Sequence, residues 1–324
     1  MRVVLTLSLA IAAAPCLAET AAGIAYLSDT AVAARPLSLS IWYPSSEDAS
    51  ATVGGNAVFK GAPAAPGASL PGAELPLVAL SHGGLRSAAD SGAWLAASMA
   101  QAGFIVVEVN APRPVDAATA LDEIWRRPQD IRRTLDLLLD DETWAARIDE
   151  DRIAVAGFAL GATAALSVAG ADLHTERYTR ACDNTDGGAE APDCGWFAAQ
   201  GVALSDTSKD GLASLTADPR VTSVIALKPE YSAAVGPVPA DVSELAIYLG
   251  GVPDASDALP RTRSVTISGS SGFDAFSVCT DAGPDLLREE GGDLRLCGAS
   301  DGSRSIVHRS ITETIVSFLR DDID

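Results

Sequence analysis

Hydrophobic residues along this chain form short strand-like runs that alternate with longer segments of helical spacing. Residues 104–109 form a nearly continuous β-branched run, as expected of a strand buried on both faces, whereas residues 36–44 alternate apolar and polar side chains. The runs that we predict as strands are 36–44, 76–82, 104–109, 152–157, 221–227, 244–250 and 263–268.

Helical spacing is found in four segments between or after these runs. In residues 128–140, Ile131, Leu135 and Leu138 share one face, and Pro128 is predicted to lie near the first turn. The other predicted helices are 91–102, with Gly103 as its stop, 162–170 and 304–320. Strands that alternate with helices of this length predict an α/β fold with a mainly parallel, doubly wound sheet covered on both faces.

Two segments interrupt this alternation. Residues 45–75 are rich in Gly, Ala, Ser and Pro and are predicted to form a long surface excursion. Residues 171–219 are polar, contain two cysteines and are predicted to form a cap inserted into the fold. Since no break in composition is strong enough to divide the rest, we predict a single domain over residues 19–324.

The first 18 residues have the form of a secretory signal peptide. Arg2 is followed by an apolar run and by small residues, and cleavage is predicted after Ala18. This apolar run is too short for a stable membrane span, and no later stretch approaches the roughly 18 apolar residues that a membrane helix needs. We therefore expect a secreted or periplasmic protein with no membrane span.

Composition and charge exclude several classes of protein. Hydrophobic residues make up 48% of the 324 residues, which is too many for a disordered chain. With 43 acidic and 23 basic side chains the formal charge is −20, so nucleic acids and anionic membrane surfaces are not expected partners. We expect no cofactor.

The cysteines that follow the predicted signal peptide are even in number: Cys182, Cys194, Cys279 and Cys297. In an exported protein this predicts disulfides rather than free thiols. Three pairings are possible, and the local pairs Cys182–Cys194 and Cys279–Cys297 are favoured because each closes only a short loop. A zinc site is the weaker alternative, since the chain has no CxxC pair and no histidine near either pair.

The most informative segment is AVAGFALGATAAL, residues 154–166. A buried strand runs into Gly157-Phe158-Ala159-Leu160-Gly161 and then directly into a small-residue helix, which is the context of the G-x-S-x-G nucleophile elbow. The central residue here is Ala159, and a methyl group has no lone pair with which to attack a carbonyl.

Several segments give the chain a specific resemblance. IWYP, NAVFKG, PLVALSHGG, RRPQDIRRTLDLLL, RIAVAGFALG, ADPRVTSVIAL and SGSSGFDAFSVC resemble the bacterial predicted dienelactone hydrolases, which are similar to platelet-activating-factor acetylhydrolases. The resemblance implies an α/β-hydrolase fold, ester hydrolysis by a Ser-His-Asp triad, and an oxyanion hole of backbone N–H groups.

Carried over residue by residue, this resemblance places Ala159 at the nucleophile position and Gly272 at the base position. The acid position is Lys228 in the acetylhydrolase-like register and Asp254 in the dienelactone-hydrolase-like register. The triad is therefore expected to be degenerate.

The resemblance also assigns the residues around the oxyanion hole. Its donors would be the N–H groups of Gly84 and Leu160, which depend on no particular side chain. His82 precedes this loop and is expected to orient it. The other histidines, His174 and His308, are expected to be a surface residue at a helix start and a partly buried packing residue.

These observations predict a hydrolase scaffold that no longer hydrolyses and that binds a small acyl or ester-like ligand or an exported protein partner. A plugged pocket would favour the partner. The alternative is an active carboxylic-ester hydrolase that uses a relocated serine, Ser81 or Ser271, with His82. Trp196-Phe197 forms either a lid over an apolar ligand or an anchor for the disulfide loop.

Overall fold

The computed structural model describes residues 20–85, 87–183, 193–253, 258–260, 262–298 and 301–321 of the chain, and for residue 301 it describes the backbone. The predicted signal peptide and Asp254 lie outside the described residues.

The described residues form ten strands that belong to one sheet. These are β1 (Ala22–Asp29), β2 (Leu37–Tyr43), β3 (Ala51–Val53), β4 (Ala62–Pro66), β5 (Leu75–Ser81), β6 (Ile105–Asn110), β7 (Ile148–Phe158), β8 (Val221–Leu227), β9 (Ser243–Leu249) and β10 (Arg263–Ile267). The strand order is β10-β9-β8-β7-β5-β6-β2-β1-β4-β3.

The α-helices in the same described residues connect or flank these strands. They are α1 (Ala93–Gln101), α2 (Ala117–Ala120), α3 (Glu123–Asp140), α4 (Glu142–Ala145), α5 (Leu160–Val168), α6 (Thr175–Thr179), α7 (Cys194–Ala199), α8 (Lys209–Ala213), α9 (Gly283–Glu289) and α10 (Asp301–Asp321). Short 3₁₀ helices occur at Leu204–Asp206, Ser232–Ala234 and Leu294–Cys297.

The sheet has a parallel half and a mixed half. Neighbouring strands from β10 to β6 are all parallel, whereas β2 is antiparallel to both β6 and β1. At the far edge β4 is parallel to β1 and antiparallel to β3. All seven strands predicted from the hydrophobic pattern are confirmed, and the parallel prediction holds for the six strands from β10 to β6.

Helices cover both faces of the parallel half. α1 and α10 pack on one face through residues such as Met99 and Ile311, and α3 and α5 pack on the other through Leu135 and Leu166. Continuous burial of residues 153–158 of β7 and 223–227 of β8 between these layers explains why these parts of the two strands are almost entirely apolar.

Two predictions from the pattern are wrong. Residues 45–75 are not only a surface excursion, because they contribute β3 and β4 to the sheet, and Ala64 in β4 is fully buried. Small side chains and prolines gave this segment no strand signal.

The second wrong prediction concerns the start of α3. Pro128 does not lie in the first turn, because α3 begins at Glu123. Backbone N–H groups of Trp125 and Arg126 bond to the carbonyl of Asp122 and extend the helix at its start.

The predicted cap, residues 171–219, contains α6, α7 and α8. Its apolar side chains, including Tyr178, Phe197 and Leu212, pack with Leu85 and Leu160 of the main fold. The Cys182–Cys194 disulfide lies in this cap, with 5.4 Å between the two Cα atoms. The second disulfide joins Cys279 to Cys297, so both favoured pairings are present.

Within the described residues, none of the helices is long and apolar enough to cross a bilayer. The same part of the chain brings no three His, Cys, Asp or Glu side chains into a group that could hold a metal ion.

We expect the Cys279–Cys297 disulfide to stabilise the region before α10. It closes a loop with a sequence separation of 18 and lies in a small apolar cluster with Leu287. The double variant Cys279→Ala/Cys297→Ala should lose about 3 kcal/mol of unfolding free energy, because the open loop gains entropy in the unfolded chain. Denaturant unfolding without reductant measures this, and an unchanged unfolding free energy would contradict it.

Candidate functional site

A sharp turn joins β7 to α5 at the carboxyl end of the parallel strands. β7 ends at Phe158 and α5 begins at Leu160, so Ala159 alone makes the turn, with φ 56° and ψ −125°. Its N–H donates to the carbonyl of Leu227, 3.1 Å away. A residue with a Cβ adopts this backbone conformation only at a cost of about 1–3 kcal/mol, and such strain is concentrated at functional sites. The elbow geometry is thus present around an alanine.

The two flanking glycines allow the backbone to approach itself. A Cβ on Gly157 would lie 2.2 Å from the carbonyl carbon and oxygen of Gly161. A Cβ on Gly161 would lie 1.8 Å from the carbonyl oxygen of Ser81, at the end of β5. Since no side chain fits at such distances, both glycines are required for the helix to start against the sheet.

The loop after β5 is tied to this elbow by backbone hydrogen bonds. The N–H of Gly83 donates to the carbonyl of Phe158 at 3.1 Å, and the N–H of Gly161 donates to the carbonyl of Gly83 at 3.3 Å. In the part of the chain that the structure describes, the N–H groups of Gly84 and Leu160 make no hydrogen bond. The two groups that the resemblance assigns to an oxyanion hole are therefore unpaired and adjoin the same turn.

Arg127 of α3 fixes the same loop from the side. Its guanidinium donates to the carbonyls of Gly83 and Gly84 at 2.6 and 2.8 Å and also pairs with Glu123. Glu123 in turn binds both terminal nitrogens of Arg35. Sequence reasoning missed this network, because nothing in the pattern of α3 distinguishes Arg127 from its neighbours.

The expected acid and base positions come together. Lys228 follows β8 with φ 44°, and its N–H donates to the carbonyl of Ile247 at 2.8 Å. A Cβ on Gly272 would lie 2.5 Å from Cε of Lys228 and 3.5 Å from its Nζ. The lysine stem therefore occupies the space that a side chain at position 272 would fill.

Glu230 is a buried carboxyl group that the sequence gave no reason to select. Its side chain is 7% exposed, and burial raises its pKa to about 8. The charge of Asp193 raises the pKa further, whereas Arg127 and Lys228 oppose this. The backbone of Glu230 is held beside the elbow, because the hydroxyl of Thr163 donates to its carbonyl at 2.5 Å and its own N–H donates to the carbonyl of Ala159 at 3.3 Å.

Both ring nitrogens of His82 are engaged. Nε2 donates to the carbonyl of Ala275 at 3.1 Å, which leaves Nδ1 to accept from the hydroxyl of Ser91 at 3.1 Å. Burial lowers the pKa of His82 to about 4, so the ring is neutral at pH 7. These ring bonds are not directed at Ser81 or Ser271, the serines of the alternative hypothesis.

The other two histidines lie away from the elbow. His308 of α10 donates from Nε2 to the carbonyl of Phe276 at 3.0 Å and stacks on Trp94, with 3.6 Å between ring centroids. The indole of Trp94 donates to the carbonyl of Ala275 at 3.0 Å. His174 is exposed at the start of α6.

The space directly above the elbow is largely filled. Ala159 is 7% exposed and Leu160 is 3% exposed. Phe197 of the cap and Tyr231 belong to the apolar cluster that contains Leu160. Phe197 is buried in this cluster, which agrees with the anchoring interpretation of the aromatic pair.

A small cavity of about 50 Å³ lies beside the elbow, outside the carboxyl ends of β5 and β6. Its walls come from the loop after β5, the loop after β6 and the first turns of α3. The lining residues are Ser81, His82, Leu85, Ser87, Ala88, Ala89, Val109, Asn110, Ala111, Pro112, Arg113, Pro114, Glu123, Arg127 and Asp130. Gly84 and Leu160, which the sequence assigned to a ligand pocket with His82, are not among them.

The sequence matches no protein-family model and no curated protein. Solved structures do match, and one of them is a ferulic acid esterase from Streptomyces cinnamoneus with a TM-score of 0.52. That match covers 95% of this chain and 91% of the esterase, at 17% sequence identity. The chain has an α/β-hydrolase type of fold. At this level of identity the comparison establishes the fold alone.

The side chains around the elbow include the charged groups Lys228 and Glu230, which no sequence motif singled out as a pair. Ser81 and His82 approach it from the loop after β5, since Ser81 Oγ would lie 3.0 Å from a Cβ on Gly161 and the rings of His82 and Phe158 are 5.1 Å apart.

Replacing Arg127 should loosen the loop after β5. We expect Arg127→Gln to cost about 2–4 kcal/mol of unfolding free energy, because it removes two charge-assisted bonds and leaves Glu123 less compensated. The matched control is Arg126→Gln, since the side chain of Arg126 is 35% exposed, pairs with Asp122 across one helical turn and otherwise lies over the ring of Trp125. Denaturant unfolding compares the two variants, and equal losses would contradict this role of Arg127.

The raised pKa of Glu230 makes stability depend on pH with a definite sign. Between the ordinary pKa of 4.5 and about 8 the folded protein keeps this proton while the unfolded chain releases it, so stability falls as the pH rises. Glu230→Gln removes this loss. We expect its stability advantage over the wild type to grow by about 2–4 kcal/mol from about pH 5.5 to about pH 8.5.

Chemical unfolding at both pH values measures this difference. The exposed Glu289→Gln in α9 is the control and should show the wild-type dependence. A constant difference between Glu230→Gln and the wild type would show that burial does not raise this pKa.

Proposed function

We propose that this protein is an exported, catalytically inactive relative of the dienelactone hydrolases and platelet-activating-factor acetylhydrolases. It binds a small acyl or ester-like ligand and does not hydrolyse it. The observation that carries the proposal is the arrangement at the elbow, where Ala159 makes the strained turn and the stem of Lys228 lies over Gly272.

Ester hydrolysis at this elbow would need a nucleophile and a base that the chain does not supply there. Losing the serine or the histidine of a working triad lowers the rate roughly 10⁶-fold and leaves roughly 10³–10⁴-fold over water. Since both positions are changed here, any remaining hydrolysis is expected to stay at or below that level.

The features that bind an acyl group are retained, which supports ligand binding. The unpaired N–H groups of Gly84, in the loop after β5, and of Leu160, at the start of α5, suit a carbonyl or carboxylate oxygen, because unpaired backbone N–H groups are hydrogen-bond donors for such an oxygen. The polar cavity beside His82 offers space for a small molecule. The other possible ligand is a protein partner, and the filled space above Ala159 favours it because a small molecule has little room there.

Export is supported by the leader-like residues 1–18 and by the two disulfides, because disulfides persist in oxidising compartments.

One observation favours the alternative, an ester hydrolase with a relocated serine. Ser81 and His82 line the same cavity. The engagement of both His82 nitrogens argues against it, because a neutral ring that donates from Nε2 and accepts at Nδ1 has no free lone pair for a serine proton.

Assays with p-nitrophenyl acetate test the proposal. The wild-type mature chain and Ala159→Ser should both stay near the residual rate, because neither has a base at position 272. The triple variant Ala159→Ser/Lys228→Asp/Gly272→His should exceed Ala159→Ser by about tenfold or more, since a positioned base typically contributes 10²–10⁴-fold. Gly272 does not have a positive φ, and Asp tolerates the φ of 44° at position 228.

Labelling with a fluorophosphonate separates the proposal from the alternative. The wild type should remain unlabelled. Efficient turnover together with labelling of Ser81 or Ser271, both lost in His82→Ala, would refute the proposal and establish the relocated active site.

A further inference from the structure

The cavity beside the elbow lies at a position where the sheet itself opens. β5 and β6 are parallel neighbours, and the helices that follow them, α1 and α3, lie on opposite faces of the sheet. Loops that leave in opposite directions from adjacent strands create a crevice at their carboxyl ends. The cavity occupies this crevice, with Ser81 at the end of β5 and Asn110 at the end of β6.

The size of the cavity limits what it can hold. Its volume is about 50 Å³. Since one water molecule needs about 10–15 Å³ by this measure, the cavity has room for roughly four waters. A molecule of about four or five non-hydrogen atoms therefore fits, and a large acyl chain does not.

Most of the polar wall is already committed to internal bonds. Glu123 and Asp130 are each 2% exposed and are both paired with Arg35, and Arg127 binds Glu123 and the loop carbonyls. Asn110 exchanges hydrogen bonds with Asp90 through both its amide oxygen and its amide nitrogen. These groups shape a rigid wall and have little bonding capacity left for a ligand.

Three polar lining residues, Ser81, Ser87 and Arg113, make no side-chain hydrogen bond or ion pair with the described residues. Ser81 as a residue is 5% exposed, but its hydroxyl oxygen is not one of the buried atoms that lack a partner, so this oxygen is open to the cavity that it lines. Arg113 lies in the exposed loop after β6, and no carboxylate in the described part of the chain forms an ion pair with it.

The charges of the wall favour an anion. The two acidic groups, Glu123 and Asp130, are offset by Arg35 and Arg127, and Arg113 adds a positive charge that no carboxylate of the described residues pairs with. A guanidinium at the mouth and a hydroxyl inside suit a carboxylate.

We propose that this cavity binds a small aliphatic carboxylate of two or three carbons, with Arg113 pairing with the carboxylate and the Ser81 hydroxyl donating to it. This inference rests on the proposed function, since a small carboxylate shares the oxygen chemistry of the proposed acyl or ester-like ligand, and it adds a binding subsite in the cavity beside the elbow. No bond is made or broken in this binding.

Titration of the full mature chain with sodium acetate, followed by NMR chemical shifts, tests the site. Acetamide serves as the neutral probe of nearly the same shape. Acetate should bind at least about tenfold more tightly than acetamide, because a charge-assisted bond to Arg113 is lost with the neutral probe. The shifts should concentrate on Ser81, the loop after β6 and the start of α3.

Three variants assign the contacts. Arg113→Gln should weaken acetate binding about tenfold or more, and Ser81→Ala should weaken it several-fold. Arg309→Gln removes another exposed arginine, on α10, and should leave the affinity unchanged. Because Ser81 is buried, its variant is first compared with the wild type in an unfolding experiment, and Arg113→Gln, on an exposed loop, tests the proposal independently of it.

The inference is overturned if acetate and acetamide bind alike, if Arg309→Gln weakens acetate as much as Arg113→Gln, or if acetate does not bind. The ester assay on the same samples keeps the two proposals apart. If the protein neither binds acetate nor hydrolyses the ester, the proposed carboxylate site is refuted and the proposed non-catalytic function stands. If the protein hydrolyses the ester and the fluorophosphonate labels Ser81, the proposed non-catalytic function is refuted, and the cavity is the active site.

Discussion

The site depends on a contact between backbones that only glycine permits. The start of α5 lies so close to the end of β5 that a single Cβ on Gly161 would lie 1.8 Å from a carbonyl oxygen of Ser81. This approach sets the direction of α5, places Ala159 at the edge of the sheet and brings the loop after β5 within hydrogen-bonding distance of the elbow. The strained backbone at Ala159 persists because packing around it is fixed by these contacts and not by the side chain at the centre.

A buried ionic network holds the other side of the same loop. Arg35, Glu123 and Arg127 connect the segment before β2 to α3 and then to the carbonyls of Gly83 and Gly84. Such a network is costly to desolvate, and its geometry must be nearly complete to be tolerated. It therefore specifies the position of the loop more than it adds stability, and buried ion pairs form one wall of the cavity beside the elbow.

The sequence predicted the parts of the structure that follow from hydrophobic periodicity. The bounds predicted for β8 are those of the structure, whereas β7 begins at Ile148, four residues before its predicted start, because its first half is charged and gives no apolar run. β4 was not predicted because its alanines and prolines carry no periodic signal, although Ala64 is fully buried. Contacts between the side chains of distant residues could not be predicted, since the stem of Lys228 meets Gly272 only after the three parallel strands β8, β9 and β10 have been aligned. The burial of Glu230 and the free hydroxyl of Ser81 depend on the same tertiary packing.

The segment that carries Gly272 is anchored without any help from residue 272. The carbonyl of Ala275 accepts from both His82 and Trp94, and the carbonyl of Phe276 accepts from His308. These three donors come from the loop after β5, from α1 and from α10, so the path of the segment is set by the surrounding helices. The path of the segment therefore owes nothing to a side chain at position 272, although any side chain placed there would have to displace the stem of Lys228. Architecture and local chemistry are thus carried by separate residues in this part of the fold.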